Sequence, residues 1–532
     1  MAGFKNVNIR YIGGVVIAVA GMMVIFGSCS KRETSASQKA PVTITFGIQT
    51  AWDNIMPYNS SSNSGYAHEI YDILWEKLAY IEQGGLSFRP RAADRWENAD
   101  NGKSIIFYLN KNATWHDGKP ITAADWVFTA QLISNPELKV ANRPFWGLEG
   151  TDNGGIELSP KSIKAEALDD YTLKFTFKTI LFPEDFLVLQ GRFIYVLPKH
   201  LLENIPPAKL LDNEFWEHPI AAGPGKLVSE IVGNEIVFAA NKEFYLGTPQ
   251  WDNLVISVVD PSVMLSAMIA GEMDYCRINE FSAQSEIIAQ QAGFETVHSS
   301  VYTNFLEVVL NNTSISDPRV RQAMHYALDK QALTDLGVPG IGQVAHTYIM
   351  PGSEYRNDDI TISRDLDKAR RLLDAANYDY NKTWIFAIGP ARESLAAAIQ
   401  QQLAEAGIKV ELQVVDVATM FAGLTNGKYD MGITAHGALA YPLYINDYFS
   451  STRPTWFSIK DTTYDEYREK ISNTIDKPER IRLTKELQAY IFETTPMIPV
   501  WYATTIYPVS KTVKNMDYTS FSGRNYWEWV KE

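Results

Sequence analysis

Apolar and polar residues alternate with a period of two where the chain leaves its first 40 residues. Residues 42–48 follow this alternation and stop at the polar Gln49, which predicts a half-buried strand running into a loop. Apolar residues at helical spacing predict a helix over residues 67–78. Further strands are predicted over 104–109, 173–177 and 236–240. The N-terminal half is therefore expected to be mixed α/β.

The C-terminal half contains the clearest local pattern, a predicted β-α-β unit. Residues 384–388 form a short apolar run, residues 395–406 keep helical spacing up to Gly407, and residues 408–414 alternate. A crossover of this length makes the two strands parallel neighbours with a right-handed connection. The sequence thus predicts an open α/β sheet here.

Two loops are expected to carry a binding site. A further strand is predicted over residues 429–434, and it enters a loop at residues 435–446. In open α/β sheets, ligands bind beyond the carboxyl ends of the strands. We therefore expect ligand contacts in this loop and in the loop at residues 50–52, which follows the first strand.

The first 29 residues are typical of an export signal. Lys5 and Arg10 precede an apolar run over residues 12–26, about 15 residues long, whereas a permanent membrane helix needs roughly 20. Gly27 and Ser28 stand directly before Cys29 and resemble the lipobox of bacterial lipoproteins, in which cleavage leaves the cysteine as the acylated first residue. We expect a cleaved signal peptide over residues 1–29 and lipidation of Cys29.

Residues 30–40 are rich in Ser, Lys, Thr and Gln without apolar periodicity, which predicts a flexible tether. Cys276 is the only other cysteine, so an intramolecular disulfide is excluded once Cys29 carries lipid, and Cys276 is expected to be a buried, inert thiol. The body must then be stabilised by burial of apolar side chains. Its length exceeds what a single core supports, which predicts two or three domains.

Charge and motifs exclude several classes of function. A net charge of −14 and a pI near 5.2 disfavour binding of nucleic acid by the body. The chain contains no Walker motif, no Gly-x-Ser-x-Gly elbow and no zinc-binding helix motif. We expect a binding protein that is not an enzyme and that has no cofactor and no metal.

Several segments together resemble the family-5 extracellular solute-binding proteins, the peptide, nickel and opine class of ABC importer receptors. The resemblance runs in the family's order from about residue 43 to the C-terminus. It is carried by residues 91–97, 115–127, 241–249, 271–274 and 317–329. The turn at 116–118 and the helix start at Asp317 are better explained as scaffold than as ligand contacts.

The resemblance implies a two-lobed periplasmic-binding-protein type II fold, with an additional α/β domain and a hinge between the lobes. The N-terminal lobe, with domains I and II, is expected to comprise residues 41–290 and 500–532, and the C-terminal lobe, domain III, residues 291–499. A solute would be enclosed between the lobes. The implied partners are ABC permease transmembrane subunits, and we expect a monomer in the cell envelope, lipid-anchored in the periplasm or at the outer face of the membrane.

The solute class stays open between peptides and oligosaccharides. In peptide-binding relatives, an Asp in the loop after the strand at 431–434 pairs with the α-ammonium of the ligand, but residues 435–446 contain no acid. An unpaired buried ammonium is costly, which counts against peptides with a free amine. Peptides still lead on family frequency, oligosaccharides come second, and nickel chelates, opines or a surface module without transport are further alternatives.

Aromatic and polar residues at the two loops, and a pair late in the chain, are the candidate ligand contacts because flat amphipathic side chains suit a wet cleft. The candidates are Thr50, Trp52, His436, Gly437, Tyr441, Tyr444, Trp501 and Tyr502.

Overall fold

The computed structural model describes residues 40–59, 65–82, 86–189, 191–277, 283–299, 301–437, 449–452, 455–516 and 525–532. The predicted signal peptide, Cys29 and residues 30–39 of the predicted tether lie outside these residues. Within the ranges given, no helix is both long enough and apolar enough to cross a membrane.

The strands are spread along the whole described chain. In chain order they are β1 (Thr43–Ile48), β2 (Ala79–Glu82), β3 (Ser87–Pro90), β4 (Ala93–Ala99), β5 (Ser104–Leu109), β6 (Ala165–Asp169), β7 (Thr172–Thr176), β8 (Gly225–Ile231), β9 (Glu235–Ala240), β10 (Asn253–Val258), β11 (Tyr275–Cys276), β12 (Glu295–His298), β13 (Asn304–Leu310), β14 (Gly342–Val344), β15 (Thr383–Ile388), β16 (Lys409–Val414), β17 (Met431–His436), β18 (Met497–Ala503), β19 (Ile506–Val509), β20 (Val513–Lys514) and β21 (Val530–Lys531).

The α-helices alternate with these strands. They are α1 (Gly65–Leu74), α2 (Ala123–Ser134), α3 (Pro183–Leu189), α4 (Lys199–Leu202), α5 (Pro207–Leu210), α6 (Pro261–Ile269), α7 (Ala283–Gln291), α8 (Pro318–Ala327), α9 (Lys330–Gly337), α10 (Leu366–Ala375), α11 (Glu393–Glu405), α12 (Val417–Asn426), α13 (Thr463–Ser472) and α14 (Lys477–Thr494).

A seven-stranded sheet, in the order β12-β19-β11-β1-β10-β9-β8, forms the centre of the N-terminal part. The predicted opening strand is confirmed as β1, whose Ile44 and Phe46 are fully buried because alternate side chains face the core. The same continuous core extends to a four-stranded sheet, β4-β5-β7-β6, on which α2 packs. This second sheet is an additional α/β layer built onto the first.

A six-stranded sheet, in the order β14-β18-β13-β17-β15-β16, forms the C-terminal part. The predicted β-α-β unit is confirmed as β15-α11-β16, with the two strands parallel and adjacent. Separate cores cover the two faces of this sheet, because Leu306 and Val308 point to one face of β13 and Phe305 and Val309 to the other. The mixed α/β fold expected from the sequence is therefore found in both parts of the molecule.

The helix predicted over 67–78 ends four residues early, at Leu74. The carbonyls of Glu76, Lys77 and Leu78 accept hydrogen bonds from the backbone N–H groups of neighbouring segments, at 2.9–3.0 Å. Those partners lie beyond the local sequence and hold the chain in an extended conformation, which overrides its helical periodicity.

The turn at His116 is held by hydrogen bonds to a distant segment, which is consistent with its interpretation as scaffold. The backbone N–H of His116 donates to the carbonyl of Ala221 at 2.7 Å, and its Nε2 lies 3.0 Å from the carbonyl oxygen of Gly223. Gly118 has a φ of +85°, which favours glycine. Just beyond the turn, Thr122 donates its backbone N–H to the Asp125 carboxylate at 2.9 Å and starts α2, as expected for a capping residue.

Burial lowers the pKa of His116 from 6.5 to about 4. The unfolded chain therefore takes up a proton near pH 6.5, whereas the folded chain does so only near pH 4. The contribution of His116 to the free energy of unfolding is fully present above pH 6.5 and is lost as the pH falls from 6.5 to 4. At pH 5 the loss is about 2 kcal/mol. Between pH 7 and pH 5, chemical denaturation should show a smaller decrease in the free energy of unfolding for His116→Gln than for the unsubstituted protein. Equal decreases in both proteins would contradict this assignment.

Candidate functional site

The carboxyl ends of the parallel strands in the seven-stranded sheet lie at one edge. β10 and β11 run parallel to β1, so the three strands end together there. β19 is antiparallel to β11, and β12 is antiparallel to β19. The chain therefore leaves this sheet at His298, the last residue of β12, and returns at Ile506, the first residue of β19, at this same edge.

The six-stranded sheet has the matching arrangement. β15, β16 and β17 are parallel and end at one edge, and β13 and β18 connect to the other sheet from that edge through Asn304 and Ala503. Only two residues separate Ala503 from Ile506, a span of about 10 Å. The two carboxyl edges, which we call the cleft edges, are thus held next to each other by the connections between the sheets.

At the first cleft edge, Thr50 is exposed and Trp52 is buried. The indole Nε1 of Trp52 donates to Glu230 Oε1 at 2.5 Å, and burial raises the pKa of this carboxyl group. Trp52 thereby fastens the loop after β1 to β8 and belongs to the core of that part. Contact of Thr50 or Trp52 with a ligand stays a prediction.

At the second cleft edge, His436 ends β17 and stands over a buried acid. Its Nε2 lies 3.2 Å from Oε1 of Glu307, which is only 1% exposed. The other carboxylate oxygen of Glu307 is buried without a hydrogen-bond partner among the described residues. The His436 ring stacks on Trp456 at 6.1 Å between centroids and 14° between planes, and Trp456 packs against Phe421. A buried carboxyl group and an aromatic surface therefore meet at this edge.

The remaining predicted contacts have different environments. Gly437 follows His436 and is half-buried, whereas Tyr441 and Tyr444 lie outside the described residues. Trp501 and Tyr502 are buried in the cores on opposite faces of the six-stranded sheet, and the Tyr502 hydroxyl contacts the carbonyl oxygens of Thr347 and Ile349. Their part in ligand binding stays a prediction.

Sequence reasoning missed Glu307 and Trp456. A signal for Glu307 was available, because a single carboxylate inside the apolar run 305–310 has to be buried together with its strand. A second buried pair, Arg277 and Glu69 at 2.8 Å, follows β11 at the first cleft edge, and Tyr526 also contacts Glu69. Neither partner of this pair can be inferred from local pattern, because they are 208 residues apart.

The chemistry of these edges is suited to binding. In the described ranges, no three His, Cys, Asp or Glu side chains are grouped to hold a metal ion. Cys276 is confirmed as buried, and burial raises the pKa of its thiol to about 12, which disfavours a nucleophilic thiolate. The edges offer hydrogen-bonding groups, aromatic faces and buried charge.

Comparison with known proteins agrees with this geometry. A family model for the middle region of bacterial extracellular solute-binding proteins, family 5, matches residues 87–455. The oligopeptide-binding protein AppA of Bacillus subtilis is 24% identical over 457 residues, which cover 80% of each chain.

Two of the solved structures that resemble this chain show the shared fold. CtaP, an ABC transporter substrate-binding protein of Listeria monocytogenes, superposes with a TM-score of 0.80 at 20% identity, over 93% of this chain and 100% of that one. AppA of Bacillus subtilis in complex with a nonapeptide superposes with a TM-score of 0.71 at 22% identity, over 92% and 100%. The sheets described above are thus those of a two-lobed binding protein, and the chain belongs to family 5 of the bacterial extracellular solute-binding proteins, which are binding receptors and not enzymes.

Proposed function

We propose that this protein is the lipid-anchored receptor of an ABC importer, which captures oligopeptides between its lobes and delivers them to a membrane permease. The observation that carries the proposal is the pair of cleft edges held side by side by two connections. The relative AppA is described as oligopeptide-binding, and its structure was solved with a nonapeptide, which supports a peptide as ligand. The same role implies the cell envelope as location.

The two connections form the proposed hinge. The backbone N–H of Ser299 donates to the carbonyl of Thr505 at 2.8 Å, and that of Thr303 donates to the carbonyl of Ala503 at 2.9 Å. The hydroxyls of Thr303 and Thr505 are 2.6 Å apart. Segments bonded in this way turn together, as expected of a hinge between rigid lobes.

This hinge lies close to the lobe boundaries expected from the sequence, which were residues 41–290 and 500–532 for one lobe and residues 291–499 for the other. Because β12 pairs in the seven-stranded sheet and β18 in the six-stranded sheet, we propose that the lobes meet at the connections themselves. The sheet connections at 298–304 and 503–506 lie a few residues beyond those boundaries.

A buried ion pair joins the two lobes away from the hinge. Asp185 on α3 belongs to the first lobe, Arg480 on α14 belongs to the second, and both side chains are at most 1% exposed. The guanidinium also lies 4.2 Å from the centre of the Phe182 ring. Burial raises the pKa of Asp185, while the charge of Arg480 acts in the opposite direction.

Such a pair favours the arrangement in which the lobes are in contact, because separating them would expose or strand both charges. We therefore propose that Asp185 and Arg480 stabilise the closed form that retains the ligand.

The buried carboxylate of Glu307 is the proposed counter-charge for the ligand's α-ammonium. The acid that peptide-binding relatives place in the loop after β17 is absent from residues 435–446. Glu307 lies on the neighbouring strand, opposite Thr434 and beneath His436. A carboxylate at this position can pair with the α-ammonium of a peptide, for which residues 435–446 supply no acid.

Oligosaccharides are the second candidate ligand, and the stacked rings of His436 and Trp456 favour them. Uncharged sugars bind to aromatic faces through their apolar surfaces and to polar side chains through their hydroxyls. The two candidates differ in what they require of Glu307, because a sugar brings no positive charge.

Ligand class is tested by thermal shift and calorimetry with peptides and with cello- and xylo-oligosaccharides. We expect peptides with a free N-terminus to bind at least about tenfold more tightly than their N-acetylated forms, and Glu307→Gln to remove most of this difference. Glu411→Gln, at an exposed position of β16 in the same lobe, is the matched control. Binding of oligosaccharides with no response to any peptide would overturn the peptide assignment.

The ion pair between the lobes is tested by Arg480→Met. Removing one partner of a buried pair costs about 3–5 kcal/mol of stability. The part of this cost that falls on the closed form alone lowers the free energy of ligand binding, and about every 1.4 kcal/mol weakens binding tenfold. Calorimetry with a bound peptide should show at least about tenfold weaker binding. Arg482→Met, two residues along the same helix and exposed, is the control and should bind as the unsubstituted protein does. Equal affinity in both variants would show that the pair does not act in closure.

Lipid attachment is tested by Cys29→Ser. Because acylation requires the cysteine thiol, the variant should incorporate no labelled fatty acid, whereas the unsubstituted protein should be labelled. Labelling that persists in the variant would contradict attachment at this residue.

A further inference from the structure

A cavity of about 320 Å³ lies in the C-terminal lobe. It is formed by the end of α8, the start of α9, the edge strand β14 with the residue pair after it, and the segment before α10. The residues with polar side chains that matter here are His325, Asp329, Lys330, His346, Ser363 and Arg364. The strand ends that form the cleft edges contribute no residue to its lining.

Lys330 is the buried cation of this cavity. It is 5% exposed, and its Nζ donates to the carbonyl of Ala345 at 2.7 Å and lies 3.3 Å from Nε2 of His325. An ammonium group carries three donors, so these two contacts leave one N–H to be satisfied. Among the described residues, no carboxylate lies within ion-pair distance of Lys330.

The other ionisable groups around the cavity have hydrogen-bond or ion-pair partners or are neutral. Arg364 pairs with Glu405 at 2.5 Å, and the Asp329 carboxylate accepts the backbone N–H of Ala332 at the start of α9. Burial, reinforced by the charge of Lys330, holds the pKa of His325 well below its ordinary value and lowers that of His346 to about 4. Both imidazoles are therefore neutral near pH 7, and neither supplies or balances charge.

Burial also lowers the pKa of Lys330 itself, to about 7. A buried ammonium is costly without an anion beside it, and the shift of its pKa reflects that cost. An anion that entered the cavity would contact the remaining N–H and restore the charged form. The cavity is large enough, since it corresponds to about ten water molecules at roughly 30 Å³ each.

We propose that this cavity binds a small organic anion through a carboxylate, with the ammonium of Lys330 as the principal contact. Ser363 and Arg364 line the same cavity, and their side chains can add donors for the carboxylate oxygens. The site is independent of the proposed cleft, so its ligand would bind whether or not a peptide is present.

The test is calorimetry at pH 6.5 and constant ionic strength with three probes: acetate, succinate and inorganic phosphate. We expect saturable binding of at least one carboxylate with a Kd in the millimolar range or tighter. Lys330→Met and Ser363→Trp, which fills the exposed side of the cavity, should each weaken it by about tenfold or more. Lys428→Met, a lysine of the same lobe that lies over the Tyr429 ring, is the matched control and should bind normally.

Each result decides the proposal. If Lys330→Met fails to fold because its hydrogen bond to Ala345 is lost, Ser363→Trp decides, since it leaves Lys330 intact. Binding of phosphate alone would overturn the ligand class. No saturable binding by any probe, or binding unchanged in the folded variants, would overturn the site. Peptide capture should be unaffected by these variants, so failure here is distinguishable from failure of the proposed function.

Discussion

The direction of the strands beside the two connections is the constraint on which the rest of the structure depends. Because the chain leaves each sheet at the edge where its parallel strands end, the carboxyl ends of β1 and β17 lie at edges that the connections hold near each other. With only two residues between Ala503 and Ile506, this placement does not depend on side chains. It follows from topology, and the residues at the cleft edges only determine what binds there.

Buried ionisable groups occur at three of the places where the described part of the molecule departs from a plain apolar core. Glu307 lies under the cleft edge, Asp185 and Arg480 join the lobes, and Lys330 lines a separate cavity. Buried ionic groups rarely add net stability compared with apolar residues of the same volume. Their positions at a cleft, an interface between lobes and a cavity are therefore better explained by binding and closure than by folding.

The elements predicted well from the sequence are those formed by local pattern. The β-α-β unit at 383–414 and the opening strand depend on periodicity within a few turns, and both were confirmed. The cleft edges followed from one general rule about parallel strands. The helix after residue 67 was predicted too long, because its end is determined by hydrogen bonds from residues far along the chain.

Side-chain roles at the site were harder to predict because they depend on distant partners. Trp52 stays a predicted ligand contact, but its hydrogen bond to Glu230 could not be inferred from local pattern, because the two residues are 178 positions apart. The Asp185–Arg480 pair spans 295 residues, so no window of sequence contains it. Glu307 alone left a local trace, as a single acid within an apolar strand.

The central claim is that two lobes close around a solute without altering it. Small-angle X-ray scattering of the purified body, without ligand and with a saturating ligand identified by native mass spectrometry, tests this most directly. The account predicts a smaller radius of gyration in the presence of ligand, together with recovery of the ligand unchanged. Identical scattering curves in the two states, or chemical conversion of the ligand, would contradict it.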